Sequence, residues 1–489
     1  MTATEISPRL SLRDTRLFNR AEFISFLCFC LCVFDCALTG SGHYIEIFGL
    51  SPRILLGGLS VLLILPKVIA NYRTLLRNPI LLSFGAFLVY LAICALRGRI
   101  AGNNPSVWLT DLKGFLWLAL VPVAMLTVTT KARLNRVLFC VMAGAVAQAL
   151  LVIYINGFCT VNRDYVPFFF DSMQRSGLGT LSVMTRRIVR VFPQSCPYLV
   201  FACCIALFRQ LQSQRIHWPS AAVIVLCLTA GLLSFTRSLY GCILVAAGVG
   251  VLALVLFYRR AWRRWGTFLL VTLVAFGCFT FVLERAFDAR YTAFALHRTF
   301  GTSYTEKYPS SELPPAEPGL PASPQLLAAP MPPAESAQQE NAPLDPDQQA
   351  YEEANRLSEQ IRQTTLVELN ALIKQAPLFG NGLGACAPSR NGPDEYFYHD
   401  ILARMGIVGL LLYLAPFALV LLRCFRRRKA LLHLPQGISL ICGMCGFWTI
   451  TYFNPWMNAS LGIAMYALFC ALPGLLDSVK IKKKKEVTT

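Results

Sequence analysis

Arg237 is the residue whose setting first suggests chemistry. It lies in the run SFTRSLYG at residues 234–241, between two apolar stretches with no real loop separating them. An arginine at the joined ends of two membrane helices is costly unless it faces protein, water or an anion. The plainer interpretation is a side chain that reaches out to lipid headgroups. We favour an anion-binding role.

Arg362 is the second candidate, because a glycine turn follows it at a short distance. Residues 377–384 read PLFGNGLG, with glycines at positions 380, 382 and 384. A proline followed by alternating glycines predicts a tight turn whose backbone N–H groups could hold a phosphate, although many plain turns share the pattern. We predict that Arg362, Gly380 and Gly382 contact an anionic substrate.

His399 is suited to proton transfer near neutral pH. It lies in the run YFYHD at residues 396–400, one step before an apolar stretch. A single histidine at a membrane interface is as often structural as catalytic. We take His399 as the candidate base and its neighbour Tyr398 as a candidate substrate contact.

Three further arginines, Arg186, Arg187 and Arg190, precede the run FPQ at residues 192–194. The topology derived below places them on the outer side of the membrane, where basic residues are scarce. An anionic lipid headgroup is the simplest partner. A diphosphate, bound bidentately by guanidinium groups, is the more specific hypothesis. We predict that Arg187 and Arg190 bind substrate.

The elements that position these residues must be membrane helices. Apolar residues make up 55% of the chain and charged residues 15%, and the mean hydropathy is +0.53. A soluble domain carries about 25% charged residues, so the composition indicates an integral membrane protein in contact with lipid. The net charge of +19 lies in short clusters between apolar runs, which favours topology marking over nucleic-acid binding.

Twelve apolar runs predict an all-α, polytopic transmembrane bundle of about twelve spans. The runs lie near residues 22–38, 53–70, 79–96, 108–127, 137–156, 196–208, 219–235, 238–257, 266–283, 401–422, 436–453 and 456–476.

Basic clusters predict the orientation of the bundle. They fall on alternate loops and on the C-terminal tail, so the positive-inside rule places both chain ends in the cytoplasm. Residues 1–283 then hold spans one to nine, with an external loop near 157–195. Residues 284–400 form a periplasmic loop, and residues 401–489 hold spans ten to twelve and a basic cytoplasmic tail.

The periplasmic loop has two parts of different composition. Residues 309–346 are rich in Pro, Ala, Ser and Gln, which is typical of a disordered or extended insert. Residues 347–376 contain no glycine or proline and keep apolar residues at helical spacing, which predicts a helix.

These features together resemble the O-antigen ligase and O-antigen polymerase superfamily of bacterial envelope glycosyltransferases. The resemblance covers the membrane layout and is sharpest from Arg362, through the PxxGxGxG turn, to His399. Serine-flanked Arg237 matches the other arginine motif of the family. Asp400 departs from the pattern, because the family usually has Asn after the histidine, and the Pro-rich insert is longer than expected.

The resemblance implies a metal-independent, inverting enzyme of the bacterial inner membrane that needs no cofactor and works on the periplasmic face. Its donor would be a glycan on undecaprenyl diphosphate. A ligase moves this glycan to lipid A–core, and a polymerase moves it to another repeat unit. We expect a ligase, because one large external segment precedes the histidine, with His399, Arg237 and Arg362 as catalytic residues.

Two matters stay open at this stage. A lipid-linked oligosaccharide flippase could have a similar number of spans, although the charged groups at the outer face suit an enzyme better than a central transport pathway. Cys159, Cys196 and Cys386 lie in segments placed outside the membrane. Whether any two of them form a disulfide, which sugars are joined and how many subunits assemble do not follow from the sequence.

Overall fold

A computed structural model describes residues 16–47, 50–185, 187–258, 261–300, 346–389 and 396–478 of the chain. The strands are β1 (Gly179–Thr185) and β2 (Ile188–Pro193). The helices are α1 (Arg16–Thr39), α2 (Pro52–Ala70), α3 (Tyr72–Leu76), α4 (Pro79–Ile100), α5 (Pro105–Leu116), α6 (Leu120–Thr127), α7 (Lys131–Val161), α8 (Val166–Arg175), α9 (Cys196–Gln210), α10 (Trp218–Leu233), α11 (Arg237–Phe257), α12 (Trp262–Ala286), α13 (Tyr291–Phe300), α14 (Pro346–Gln375), α15 (Phe397–Arg426), α16 (Arg428–Leu431), α17 (Pro435–Ile450) and α18 (Ser460–Cys470).

Within the described ranges, nine helical stretches are long and apolar enough to cross a membrane. They are α1, α2, α4, α5 together with α6, α7, α11, α12, α15, and α18 with the helical turns that follow it to Ser478. The protein is therefore a multi-pass helical membrane protein. The other three predicted spans coincide with α9, α10 and α17, whose 15 or 16 residues are fewer than the roughly 20 that a perpendicular crossing needs.

Proline and asparagine mark where several of these helices begin. Pro79 and Pro105 occupy the first turns of α4 and α5, where a missing backbone N–H costs nothing. The side chain of Asn78 accepts a hydrogen bond from the N–H of Ile80 at 3.1 Å, which caps α4. Asn104 caps α5 in the same way.

The bundle is centred on α18, which is buried along its whole length. Its helical neighbours include α1, α6 and α17. The ring of Tyr466 on α18 stacks on Tyr413 of α15, with centroids 6.0 Å apart. The hydroxyl group of Tyr413 donates to the main-chain oxygen of Met457 at 2.7 Å. Aromatic packing and hydrogen bonding therefore tie α15 to α18 and to the loop before it.

The segment near 157–195, which the sequence predicts to be an external loop, contains a two-stranded antiparallel hairpin that the sequence did not predict. Its register pairs Gly179 with Pro193 and Ser182 with Arg190. Strand β2 packs against α7, whereas β1 packs against α8 and α14. The membrane bundle is helical as predicted, and this hairpin lies outside the candidate spans.

The long helix α15 is broken at Gly406, which has φ 66° and ψ −170°. The N–H groups of Ile407 and Val408 donate to the oxygens of Pro377 and Leu378 instead of to the preceding helical turn. Backbone groups freed inside a membrane helix must find protein partners. Here the glycine turn at residues 377–384 supplies them.

Several predicted features lie wholly or largely outside the described residues. These are the insert 309–346, apart from Pro346 at the start of α14, then Arg186, and the basic tail at residues 480–485. Helix α14 extends over the range in which the sequence predicts a helix at 347–376.

Candidate functional site

Arg237 begins α11, directly after a tight junction with α10. Only residues 234–236 separate the two helices, and Phe235 adopts φ 46°, a conformation that is rare for a bulky residue. The ring of Phe235 is fully buried and packs edge-on against Phe294 of α13 at 5.1 Å. This burial holds the strained junction and leaves Arg237 exposed at the end of the bundle.

Arg190 reaches the same junction from β2. Its Nε donates to the main-chain oxygen of Ser234 at 3.0 Å, and its Nη2 donates to Oγ1 of Thr236 at 3.2 Å. The guanidinium carbon lies 5.1 Å from the ring centroid of Phe192, in a cation–π contact. The structure therefore brings Arg190 next to Arg237, although 46 residues separate Arg190 from Thr236.

A third arginine, Arg298, lies at this place and was missed by the sequence analysis. Its main-chain oxygen accepts a hydrogen bond from Nε of Arg237 at 2.7 Å. Its Nη1 lies 3.4 Å from Sδ of Met184 on β1. A signal was available, because the predicted topology puts residue 298 in an external segment, where a basic residue runs against the positive-inside bias. We call Arg190, Arg237 and Arg298 the arginine cluster.

Arg187 has a different setting, at the turn of the hairpin. It forms an ion pair with the carboxylate of Asp288, and its Nη1 also donates to the main-chain oxygen of Asp288 at 3.3 Å. Asp288 lies between α12 and α13. These contacts tie the hairpin to the connection between the two helices, and substrate binding by Arg187 stays a prediction.

Arg362 is exposed on α14. Leu369, two turns further along the same face, is buried with Tyr396 and Ala403 at the start of α15. Helix α14 also packs against β1, the partner strand of the one that carries Arg190. Arg362 thus lies on a helix that borders both the hairpin and the segment of His399.

His399 lies in the first turn of α15, between two tyrosine rings. The ring centroids of Tyr396 and Tyr452 are 5.8 and 6.0 Å from that of His399, and both contacts are edge-to-face. Among the described residues, the buried Nδ1 of His399 has no hydrogen-bond partner. Since a bond at one ring nitrogen sets the tautomer, no described protein group fixes which nitrogen of His399 is basic.

One loop connects the surroundings of His399 with those of the arginine cluster. It comprises residues 451–459, between α17 and α18. Tyr452 of this loop contacts His399, whereas Trp456 stacks on Phe192, with centroids 6.2 Å apart. Phe192 is the ring beneath Arg190. His399 and the arginine cluster therefore border two ends of the same loop.

Tyr398 points into the bundle. Its hydroxyl group donates to the main-chain oxygen of Trp448 at 2.8 Å, and its ring contacts those of Phe397 and Trp448. Its side chain is thus engaged in packing, and the substrate contact predicted for Tyr398 stays a prediction.

The backbone N–H groups of the glycine turn are bonded within the protein and do not form a free phosphate cradle, and substrate contact by Gly380 and Gly382 stays a prediction. Every backbone N–H from residue 380 to residue 384 donates to a protein acceptor. The five acceptors, in order, are the oxygens of Ala376, Ala403, Arg404 and Cys94 and the Oδ2 of Asp111, at 2.9 to 3.0 Å.

The glycines of the turn serve close packing. Gly380 and Gly382 have φ of +68° and +88°, which side chains rarely adopt. A Cβ at Gly380 would lie 2.3 Å from the carbonyl carbon of Arg404, and one at Gly382 would lie 2.4 Å from the nitrogen of Gly98. The alternating glycines let the turn enter between α4 and α15.

Asp400, the departure from the family pattern, is part of a buried ionic network. Its Oδ2 lies 2.7 Å from Nη1 of Arg404, which lies 2.5 Å from Oδ1 of Asp111 on α5. The side chains of all three residues are at most 3% exposed. Their burial indicates that Asp400 organises the protein and does not face an acceptor.

The described residues contain no group of three or more His, Cys, Asp or Glu that could hold a metal ion. In the described part of the chain, no disulfide joins any two of Cys159, Cys196 and Cys386. The arrangement instead offers guanidinium groups that can neutralise a phosphate and an imidazole nearby. No protein-family model and no curated protein matches the chain.

Proposed function

We propose that the protein is a glycosyltransferase of the bacterial cell envelope. It takes a glycan from undecaprenyl diphosphate and transfers it to lipid A–core at the periplasmic face of the inner membrane. The observation that carries this proposal is the arginine cluster, in which three guanidinium-bearing residues meet at one helix junction, across the 451–459 loop from His399.

The proposal includes a topology with twelve spans and both chain ends in the cytoplasm. Helices α9, α10 and α17 then cross the membrane together with the nine longer stretches. The site elements support this arrangement, because they all fall at one end of the bundle. The α10–α11 junction, the start of α15 and the 451–459 loop would face the periplasm, where a lipid-linked donor and a glycan acceptor could meet.

The chemistry is a single displacement. The acceptor hydroxyl oxygen attacks the anomeric carbon, and the bond from that carbon to the phosphate oxygen breaks. Negative charge develops on the leaving diphosphate, and guanidinium groups stabilise it bidentately. His399 takes the proton of the attacking hydroxyl. Attack opposite the leaving group inverts the anomeric centre.

A reconstituted transfer assay tests the proposal. The purified protein in nanodiscs receives the lipid-linked glycan, with or without lipid A–core, and the products are separated by mass. We expect glycosylated lipid A–core only when both substrates are present. Elongated lipid-linked glycan from the donor alone would indicate a polymerase. Translocation of the donor across liposomes without any new glycosidic bond would indicate a flippase and refute a transferase.

A further inference from the structure

The outer segment of α15, residues 397–405, carries His399 but is not held in place by a continuous helix. The break at Gly406 removes the bonds that would normally run from the next turn to Ala403 and Arg404. The oxygens of those two residues accept instead from the N–H groups of Asn381 and Gly382. The direction of the segment therefore depends on its contacts with the rest of the protein.

Arg404 makes the central contact. Its Nη1 lies 2.5 Å from Oδ1 of Asp111 on α5 and 2.7 Å from Oδ2 of Asp400, one turn earlier on its own helix. Its Nε donates to the oxygen of Ala385 at 3.0 Å, and the other oxygen of Asp111 accepts from Gly384. Three separate parts of the chain, α5, the glycine turn and the outer segment, thus meet at one guanidinium group.

This network sets how the outer segment is rotated about its own axis. Asp400 and Arg404 are one helical turn apart, so they share a face, and their link to Asp111 turns that face toward α5. His399 precedes Asp400 and projects about 100° away round the helix. That direction places its ring against Tyr452 of the 451–459 loop.

A gain in folding stability does not by itself explain why three charged residues are buried here. Well-packed apolar residues of similar volume often stabilise a buried site as well as an ion pair does, or better, whereas removing one partner leaves an uncompensated charge. What apolar residues cannot supply is a directed contact in which one guanidinium nitrogen, Nη1 of Arg404, holds the carboxylates of Asp111 and Asp400 together.

We propose that Arg404, together with Asp111, is a positioning residue that orients His399 toward the 451–459 loop. Arg404 acts through the outer segment and does not touch substrate. The kinetic part of this inference rests on the proposed glycosyltransferase function. The geometric part does not, since the exposure of His399 can be measured without any reaction.

The experiment compares two variants with a matched control in nanodiscs. Arg404→Met removes the guanidinium group that contacts both buried carboxylates. The triple variant Asp111→Asn, Asp400→Asn, Arg404→Met removes these three charges together. The control, Glu22→Gln with Lys67→Met and Arg133→Met, removes another three-residue ionic network, in which Glu22 of α1 pairs with Lys67 of α2 at 2.5 Å and with Arg133 of α7. The measurements are the thermal midpoint, the modification rate of His399 by diethyl pyrocarbonate, read by mass spectrometry, and the kcat and KM of glycan transfer.

We expect Arg404→Met to lower the thermal midpoint and the triple variant to recover it. In the triple variant, His399 should nevertheless be modified at a changed rate, and kcat should fall about tenfold or more with little change in KM. The control should keep the wild-type modification rate and kcat.

A triple variant with wild-type kcat and a wild-type modification rate at His399 would overturn the inference. A triple variant that does not fold would also overturn it, because the charges would then be needed for the fold itself. If the wild-type protein transfers no glycan, the proposed function fails, and the modification rate at His399 still decides whether the network positions that residue.

Discussion

The Nε of Arg237 donates a hydrogen bond of 2.7 Å to the main-chain oxygen of Arg298. This bond uses the inner nitrogen of the guanidinium group and so fixes the plane in which the two Nη nitrogens lie. A planar fork held by the backbone of α13 is suited to a phosphate, because binding then requires little further ordering of the side chain.

Arg237→Ala should reduce kcat of glycan transfer by about 10²-fold or more, because it removes charge stabilisation from the leaving diphosphate. Arg237→Lys should fall between the alanine variant and wild type, since lysine keeps the charge but loses the fork. Initial rates in nanodiscs provide the measurement. Arg175→Ala is the control, because Arg175 ends α8 and its side chain is 81% exposed. Normal turnover in Arg237→Ala would remove this residue from the mechanism.

Arg190→Ala should affect both activity and stability, in contrast to Arg237→Ala. Arg190 bonds Ser234 and Thr236 and covers Phe192, so its loss removes two hydrogen bonds and a cation–π contact. Such contacts contribute about 0.5–2 kcal/mol each. The thermal midpoint and kcat should therefore fall together. A variant with lower kcat and an unchanged midpoint would show that the hairpin does not depend on this arginine.

Gly382→Ala should destabilise the protein by more than about 2 kcal/mol. The position has a left-handed backbone, and an added Cβ would meet the backbone of Gly98 at 2.4 Å. Gly85→Ala is the matched control, because it lies on α4, the same helix as Gly98, with open space around it. Thermal unfolding in detergent should separate the two. Equal midpoints would mean that the turn does not enter the bundle as closely as described.

Hydropathy and charge could predict the parts of this structure that depend on local sequence. Each of the twelve apolar runs coincides with a helix, because a membrane helix buries its own backbone hydrogen bonds and needs only a continuous apolar segment. The proposed topology puts Arg97 on the outer side, where the positive-inside rule makes basic residues scarce. The structure supplies a reason, since Arg97 donates to the oxygens of Phe379 and Gly380.

The parts that the sequence could not predict depend on contacts between distant residues. The glycines at 380, 382 and 384 indicated a turn, but whether its N–H groups were free depended on Ala403 and Cys94, far along the chain. The break at Gly406 lies within the run 401–422, which the average hydropathy predicts to be one continuous span. The hairpin at residues 179–193 is short, and its pairing with the α10–α11 junction through Arg190 is a tertiary contact.

The proposed topology predicts opposite reporter signals on the two sides of the membrane. A periplasmic reporter inserted at about residue 330 should be active, and the same reporter at the C-terminus should be inactive, because the basic clusters place these points on opposite sides. A fluorescent reporter that requires the cytoplasm should give the reverse pattern. Like signals at both points would refute the arrangement of spans.

His399→Gln and His399→Ala should separate a base from a positioning group. If His399 takes the proton of the acceptor hydroxyl, both variants should lose about 10²–10⁴-fold in kcat, the contribution expected of general-base catalysis. If the imidazole only donates or accepts a hydrogen bond, glutamine should restore much of the rate, since its amide can do both. His43→Gln is the control. His43 lies in the connection between α1 and α2 and pairs with Glu46 at 2.9 Å, outside the candidate spans.

The pH dependence of kcat, measured in the wild type, His399→Gln and His43→Gln, adds a test that a purely positioning role of His399 would not affect. A base must be unprotonated to act, so wild-type kcat should fall as the pH drops through the titration of His399. The residual activity of His399→Gln should lack that limb, because glutamine does not titrate, and His43→Gln should retain it. A limb that persists unchanged in His399→Gln would assign the titration to another group and leave His399 as a residue that contacts the substrate by hydrogen bonding.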